Sequence, residues 1–179
     1  MKNNQDGNIP KLDELLTTEE IKISNNISKI TDKIYLGDEE GAKELDFFKT
    51  EQIHYVLSIV KTPPIYPQDM NINLLNLNME DFLPTNIINF IKKSINFIDK
   101  ADKIYIHCTC GINRSSAILI GYLMWKTHAS FDDVYNYVKK RRDCIEPINP
   151  FIIQLKKFQN LLIKNNYDYE KIIANTRTK

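Results

Sequence analysis

Ile104-Tyr105-Ile106-His107-Cys108-Thr109-Cys110-Gly111-Ile112-Asn113-Arg114-Ser115-Ser116 passes from a short apolar run, through a loop with one glycine, into a segment that stays apolar almost all round as far as Trp125. A short continuous apolar run suits a central strand covered on both faces, and an all-round apolar segment suits a helix buried in mid-domain. The stretch is therefore read as strand, loop and helix, the unit from which α/β sheets are built. At such a junction the N–H groups of the loop converge on the helix N-terminus, where the helix dipole adds about half a positive charge. A phosphoryl dianion fits that environment. Gly111 allows backbone angles closed to other residues, and the planar fork of Arg114 spans two phosphate oxygens at once.

A cysteine at the start of this loop lies in the same field, and a thiolate gains from those donors as phosphate does, so Cys108 is the candidate nucleophile. His107 is placed to hydrogen-bond nearby backbone and hold the cysteine. The Ser115 hydroxyl is placed to donate to sulfur and stabilise it as a leaving group. Many cysteines are only small buried hydrophobes. The five fixed residues of His-Cys-x-x-Gly-x-x-Arg-Ser, however, match by chance on the order of once in ten million windows, which favours a functional site.

On either side of this unit the texture alternates between strand and helix. Ile30 to Gly37 reads as a strand, Asp38 opens a helix through Phe48, His54 to Val60 is a buried strand, and Pro63, Pro64 and Pro67 mark a loop. Ile72 to Met79 alternates as a strand should. Ile87, Ile88, Phe90, Ile91, Ser94, Ile95 and Ile98 then repeat at helical spacing, with Pro84 near the first turn. Phe131 to Arg142 and Phe151 to Lys164 read as two more helices, with Ser130 and Asn149 as N-cap candidates. This gives a single domain over residues 27–165, a central, mainly parallel sheet flanked by helices. Residues 1–26 form an N-terminal extension in which Leu12, Leu15, Leu16 and Ile23 would line one helix face, packed on this domain or, as a homodimer through residues 11–23, on a second copy. Residues 166–179 read as a polar tail.

The composition agrees with one globular domain: 179 residues, 42% hydrophobic and 26% charged. Lys and Arg total 24 against 23 Asp and Glu, so the basic footprint that drives nucleic-acid binding is missing and any anion site is local. The longest apolar run, Ala117 to Trp125, is far short of the ~20 residues that span a bilayer, so no membrane partner is expected. The first eight residues have no apolar core for a secretory signal, which places the chain in a reducing compartment, cytoplasmic or nuclear. Cys108, Cys110 and Cys144 show neither zinc spacing nor an even disulfide set, so no metal site is expected.

With these residues assembled, the chain resembles the Cys-dependent protein phosphatases of the protein tyrosine phosphatase superfamily, and among them the dual-specificity phosphatases. The likeness runs from Ile30-Thr31-Asp32-Lys33-Ile34-Tyr35-Leu36-Gly37, similar to the family's opening strand, through the His107 to Ser116 loop, to Ile145-Glu146-Pro147 with Phe151, Gln154 and Leu155. It implies a protein tyrosine phosphatase-like fold and a phosphate-binding loop of His107, Cys108, Thr109, Cys110, Gly111, Ile112, Asn113 and Arg114. It also implies a general acid on an earlier loop, where Asp81 stands and is preferred to its neighbour Glu80. The implied reaction is hydrolysis of phosphotyrosine and phosphoserine or phosphothreonine in protein substrates through a phosphocysteine, with no metal or cofactor.

Three positions depart from the family pattern: Cys110 where Ala is usual, Asn113 where Ser is frequent, and Ile148 where Asn follows the proline. The loop with Asn113 is similar to those of poxvirus dual-specificity phosphatases, which leaves a viral source and a virion location open. It is similar too to the RNA 5′-phosphatases of the same superfamily, which form the alternative enzyme reading. A phosphoprotein-binding module without turnover is the alternative from another class. Arg141 and Arg142 read as a solvated helix end rather than a second phosphate site.

Overall fold

The computed structural model describes residues 9–17, 23–82 and 85–174. Five strands, β1 (Ile27–Lys29), β2 (Ile34–Gly37), β3 (Tyr55–Ser58), β4 (Asn73–Asn76) and β5 (Ile104–His107), form one sheet in the order β1-β2-β5-β3-β4. Only β1 is antiparallel to its neighbour. Side chains alternate across the sheet as the period of two requires. Ile34, Leu36, Leu57, Ile104 and Ile106 face the larger core. Tyr35, Val56 and Tyr105 face a smaller one with Phe48, Ile53 and Met70.

The larger core is roofed by α2 (Ile87–Lys100), α3 (Arg114–Thr127), α4 (Phe131–Arg141) and α5 (Asn149–Lys164), while α1 (Leu45–Glu51) supplies Phe48 to the other face. Helix α3 packs against α2, α4 and α5, which is why it is apolar all round. In α2, by contrast, Ile87, Ile91, Ile95 and Ile98 are buried on one stripe. Ser130 caps α4 by accepting from the Asp133 amide. Ile148, not Asn149, stands at the N-cap of α5, and Pro150 lies in its first turn.

Several sequence expectations are corrected. The opening strand is four residues long, because Thr31 Oγ1 accepts from the amides of Lys33 and Ile34 and turns Ile30–Lys33 into a hairpin joining β1 to β2. The helix expected from Asp38 begins later: the Asp38 carboxylate accepts from Gly41 N, a short 3-10 turn covers Gly41–Lys43, and α1 follows. β4 ends at Asn76, and Leu77 and Met79 are buried beyond the sheet.

In the N-terminal extension, residues 1–8 and 18–22 lie outside the described residues, and the described ones show a single 3-10 turn, Leu12–Glu14. Leu12 and Leu15 pack on the larger core and Ile23 on the smaller, so the three do not share a helix face. Asp32 holds this segment to the chain's own domain through its amide to Leu15 O and its carboxylate to Thr17. Past Asn165 the chain is not a bare polar tail. It forms α6 (Tyr169–Ala174), buries Ile172, and accepts from Trp125 Nε1 at Tyr167 O. Pro84 lies outside the described residues.

Candidate active site

β5 is the central strand, and its last residue, His107, is in register with Gly37 on one side and Ser58 on the other. The loop that follows therefore emerges at the carboxyl edge of a parallel sheet, where crevices form. Its shape depends on where its carbonyls go. Cys108 O faces His107 Nδ1 at 3.3 Å, Thr109 O accepts from Glu39 N, Ile112 O accepts from Glu146 N, and Asn113 O accepts from Ala117 N. Gly111 O accepts from Arg142 Nε at 3.0 Å. With five carbonyls held by groups around the loop, planar peptides leave amide N–H groups for the concave side, as an oxyanion cradle requires.

Two glycines make this packing feasible. Gly111 has φ +65°, and a Cβ there would lie 2.4 Å from Gly37 O and 2.7 Å from Arg142 Nη2. A Cβ on Gly37 would in turn meet the Tyr105 hydroxyl. Arg142 is buried, with Nη1 donating to Ser28 Oγ at 3.3 Å and Nη2 4.0 Å from Asp38 Oδ2. It is a clamp on the Cys108–Arg114 loop, which corrects its reading as part of a solvated helix end. Arg141 stacks on the Tyr137 ring instead.

Cys108 is buried, and Ser115 Oγ donates to its Sγ at 3.2 Å. A cleft of about 550 Å³ opens over it, lined by Asp81, Cys108, Cys110, Ile112, Asn113, Arg114, Glu146, Pro147, Ile148 and Asn149. At its mouth Arg114 Nε lies 3.3 Å from Asp81 Oδ2, and Arg114 Nη2 donates to Thr109 Oγ1 at 3.1 Å. Asn113 Nδ2 donates to Asp81 Oδ1, and Asn113 Oδ1 accepts from Ile148 N at 3.0 Å. The fold thus brings Cys108, Arg114, Asp81, Ser115 and the loop residues together, with Asp81 rather than Glu80 among the cleft residues. The clamp by Arg142, the bridge by Asn113 and Glu146 in the cleft are what the sequence reading did not find. Each joins segments distant along the chain and leaves no local pattern. Among the described residues no cluster of three or more His, Cys, Asp or Glu is placed to hold a metal ion. No helix there is long and apolar enough to cross a membrane.

His107 is fully buried beside the Tyr105 ring, and burial pushes its pKa down to about 4, opposed by its contact with Cys108 O and by Asp38. A carbonyl only accepts, so the neutral ring carries its proton on Nδ1 and orients the Cys108 peptide. Because the folded value lies below the unfolded 6.5, the unfolded chain takes up a proton first as pH falls. The stability held above pH 6.5 is then lost down to about pH 4, by about 3 kcal/mol. Urea unfolding of wild type and His107→Asn across this range is expected to show the loss in wild type and not in the variant, so that the difference between the two changes by that amount as pH falls. Parallel curves would contradict it.

Residues 34–161 match the family model described as dual specificity phosphatase, catalytic domain. The chain is 33% identical over 138 residues to MAP kinase phosphatase with leucine-rich repeats protein 1 of Dictyostelium discoideum, covering 75% of this chain and 16% of that protein. It is 31% identical over 143 residues to dual specificity protein phosphatase 8 of Mus musculus, covering 78% and 22%. The chain thus spans about a fifth of the length of these curated relatives. The crystal structure of DUSP15 is similar with a TM-score of 0.70 at 29% identity, covering 76% of this chain and 88% of that one. That of the human tyrosine phosphatase-like serine/threonine/tyrosine-interacting protein is similar with a TM-score of 0.72 at 25% identity, covering 78% and 99%. As the family match extends from β2 through the loop after β5 into α5, the chain belongs to the dual specificity phosphatase catalytic domain family.

Proposed function

We propose that this chain is a dual-specificity protein phosphatase, hydrolysing phosphotyrosine and phosphoserine or phosphothreonine in proteins through a phosphocysteine intermediate. The observation that carries this reading is the buried Cys108 thiol beneath the cleft, with Ser115 on its sulfur and Arg114 and Asp81 at the mouth. The thiolate attacks phosphorus in line while Asp81 protonates the departing oxygen, and water then opens the phosphocysteine with Asp81 as base. Arg114 and the loop amides hold the equatorial oxygens, and bind them best as charge develops in the transition state. Ser115 acts in the second step, when its hydroxyl stabilises the thiolate that leaves phosphorus. A reduced, intracellular setting belongs to the proposal, since the nucleophile must be a free thiol, as all three cysteines are.

The loop with Asn113 resembles that of an RNA 5′-phosphatase, but the Asn113 side chain is used within the site, on Asp81. Among the described residues, the ionisable side chains lining the cleft besides its cysteines are Asp81 and Glu146 against the single cation Arg114, a poor setting for a polyanionic RNA end.

The test is hydrolysis of an aryl phosphate, expected to be blocked by vanadate and unaffected by chelator, beside phosphopeptides and triphosphate-ended RNA. Phosphopeptide turnover with an inert RNA end supports the proposal, and the reverse overturns it. Ser115→Ala is expected to release a stoichiometric burst of phenol and then turn over about 100-fold more slowly than wild type. Rapid-quench detection of the accumulated phosphoenzyme checks this.

A further inference from the structure

We propose that Asn113 is a positioning residue for the general acid: its side-chain amide holds the Asp81 carboxylate over the phosphate loop and fixes which oxygen delivers the proton. The proposal rests on the reading of Asp81 as the acid. Asn113 stands at the N-cap of α3, where an asparagine normally folds back to accept from the amides of the first turn. Its side chain makes no such bond. The amide reaches out instead, Nδ2 donating to Asp81 Oδ1, 32 residues back, and Oδ1 accepting from Ile148 N, 35 residues ahead. Asn113 and Ile148 are two of the positions at which this chain departs from the family pattern, and here they are bonded to each other.

The diversion has two effects. The first amides of α3 stay uncapped by Asn113 and remain available to a bound oxyanion. Asp81, half-exposed on the segment beyond β4, gains a tie that does not depend on Arg114. That independence matters because Arg114 Nε lies 3.3 Å from Asp81 Oδ2, and a bound phosphoryl group would take this guanidinium for itself. The Asn113 amide then holds the carboxylate by Oδ1. Oδ2 carries the proton, and as the P–O bond to the leaving group breaks, that proton passes to the departing oxygen.

The experiment compares wild type, Asp81→Asn, Asn113→Ala, Asn113→Ser and the double variant Asp81→Asn/Asn113→Ala on aryl phosphates whose phenols range from good to poor leaving groups. Tungstate affinity is measured for each as a check on loop shape. Asp81→Asn is expected to cost about 100-fold with the poorest leaving group and little with the best. Both Asn113 variants should lose about 10-fold with the poorest, under about 2-fold with the best, keep tungstate affinity, and add nothing to Asp81→Asn in the double variant. A loss that is uniform across leaving groups, additive in the double variant, or accompanied by lost tungstate binding in both Asn113 variants overturns the role of Asn113 and leaves Asp81 in place. If Asp81→Asn itself is blind to the leaving group, the reading of Asp81 falls and the proposal with it.

Discussion

Replacement of Cys108 by serine is expected to lower kcat at least about 10⁴-fold while tungstate binds within about 3-fold of its wild-type affinity. The two effects separate because chemistry and binding are carried by different atoms. Turnover needs an anionic nucleophile at the floor of the cleft, and a serine hydroxyl stays protonated at neutral pH. Oxyanion binding draws on the amides and on Arg114, none of which moves when sulfur becomes oxygen. A neutral hydroxyl adds no negative charge beside the incoming dianion, so affinity has no electrostatic reason to fall. Steady-state kinetics and calorimetric titration with tungstate test both halves, and residual turnover above about 1% of wild type would take the sulfur out of its proposed role. The same variant, used to capture phosphoproteins, would identify substrates.

Gly111→Ala is expected to cost about 4 kcal/mol of stability and at least about 100-fold in kcat/KM. The left-handed backbone at φ +65° accounts for roughly 1–2 kcal/mol of this. The remainder is steric, since the new methyl would stand 2.4 Å from the Gly37 carbonyl oxygen, which is backbone and cannot rotate away. The loop must shift outward, carrying the Gly111 carbonyl off Arg142 and turning the adjoining amides from the cleft. Equilibrium unfolding in urea together with aryl phosphate kinetics measures the two losses. A variant as stable and active as wild type would mean that the loop does not adopt this conformation.

How much of this was legible in the sequence divides along the range of the interactions. The β5–loop–α3 unit, the isoleucine stripe of α2 and the buried face of α5 follow from periodicity, because burial imposes it residue by residue. The hairpin at Thr31 carries a strand's pattern because Ile30 and Ile34 are apolar on both sides of a turn made by one hydroxyl. The helix inferred from Leu12, Leu15 and Ile23 fails because spacing cannot tell one helix face from two separate cores. α6 was hidden by its polar surface, since a single buried isoleucine sets no period. At the site, Cys108 and Arg114 announce themselves by spacing. The roles of Asn113 and Arg142 appear only when partners more than 30 residues away along the chain are brought into contact, and polar pairing of that kind leaves no trace in local pattern.

The outward-held carbonyls of the phosphate loop also bear on how it behaves in solution. Mobile counterions weaken attraction between exposed charges over about 8–10 Å at physiological salt, whereas fixed dipoles that touch their guest inside a cleft are shielded far less. A cradle made of peptide groups and one guanidinium should therefore hold its anion at ionic strengths that would strip the same ligand from a surface cluster of lysines.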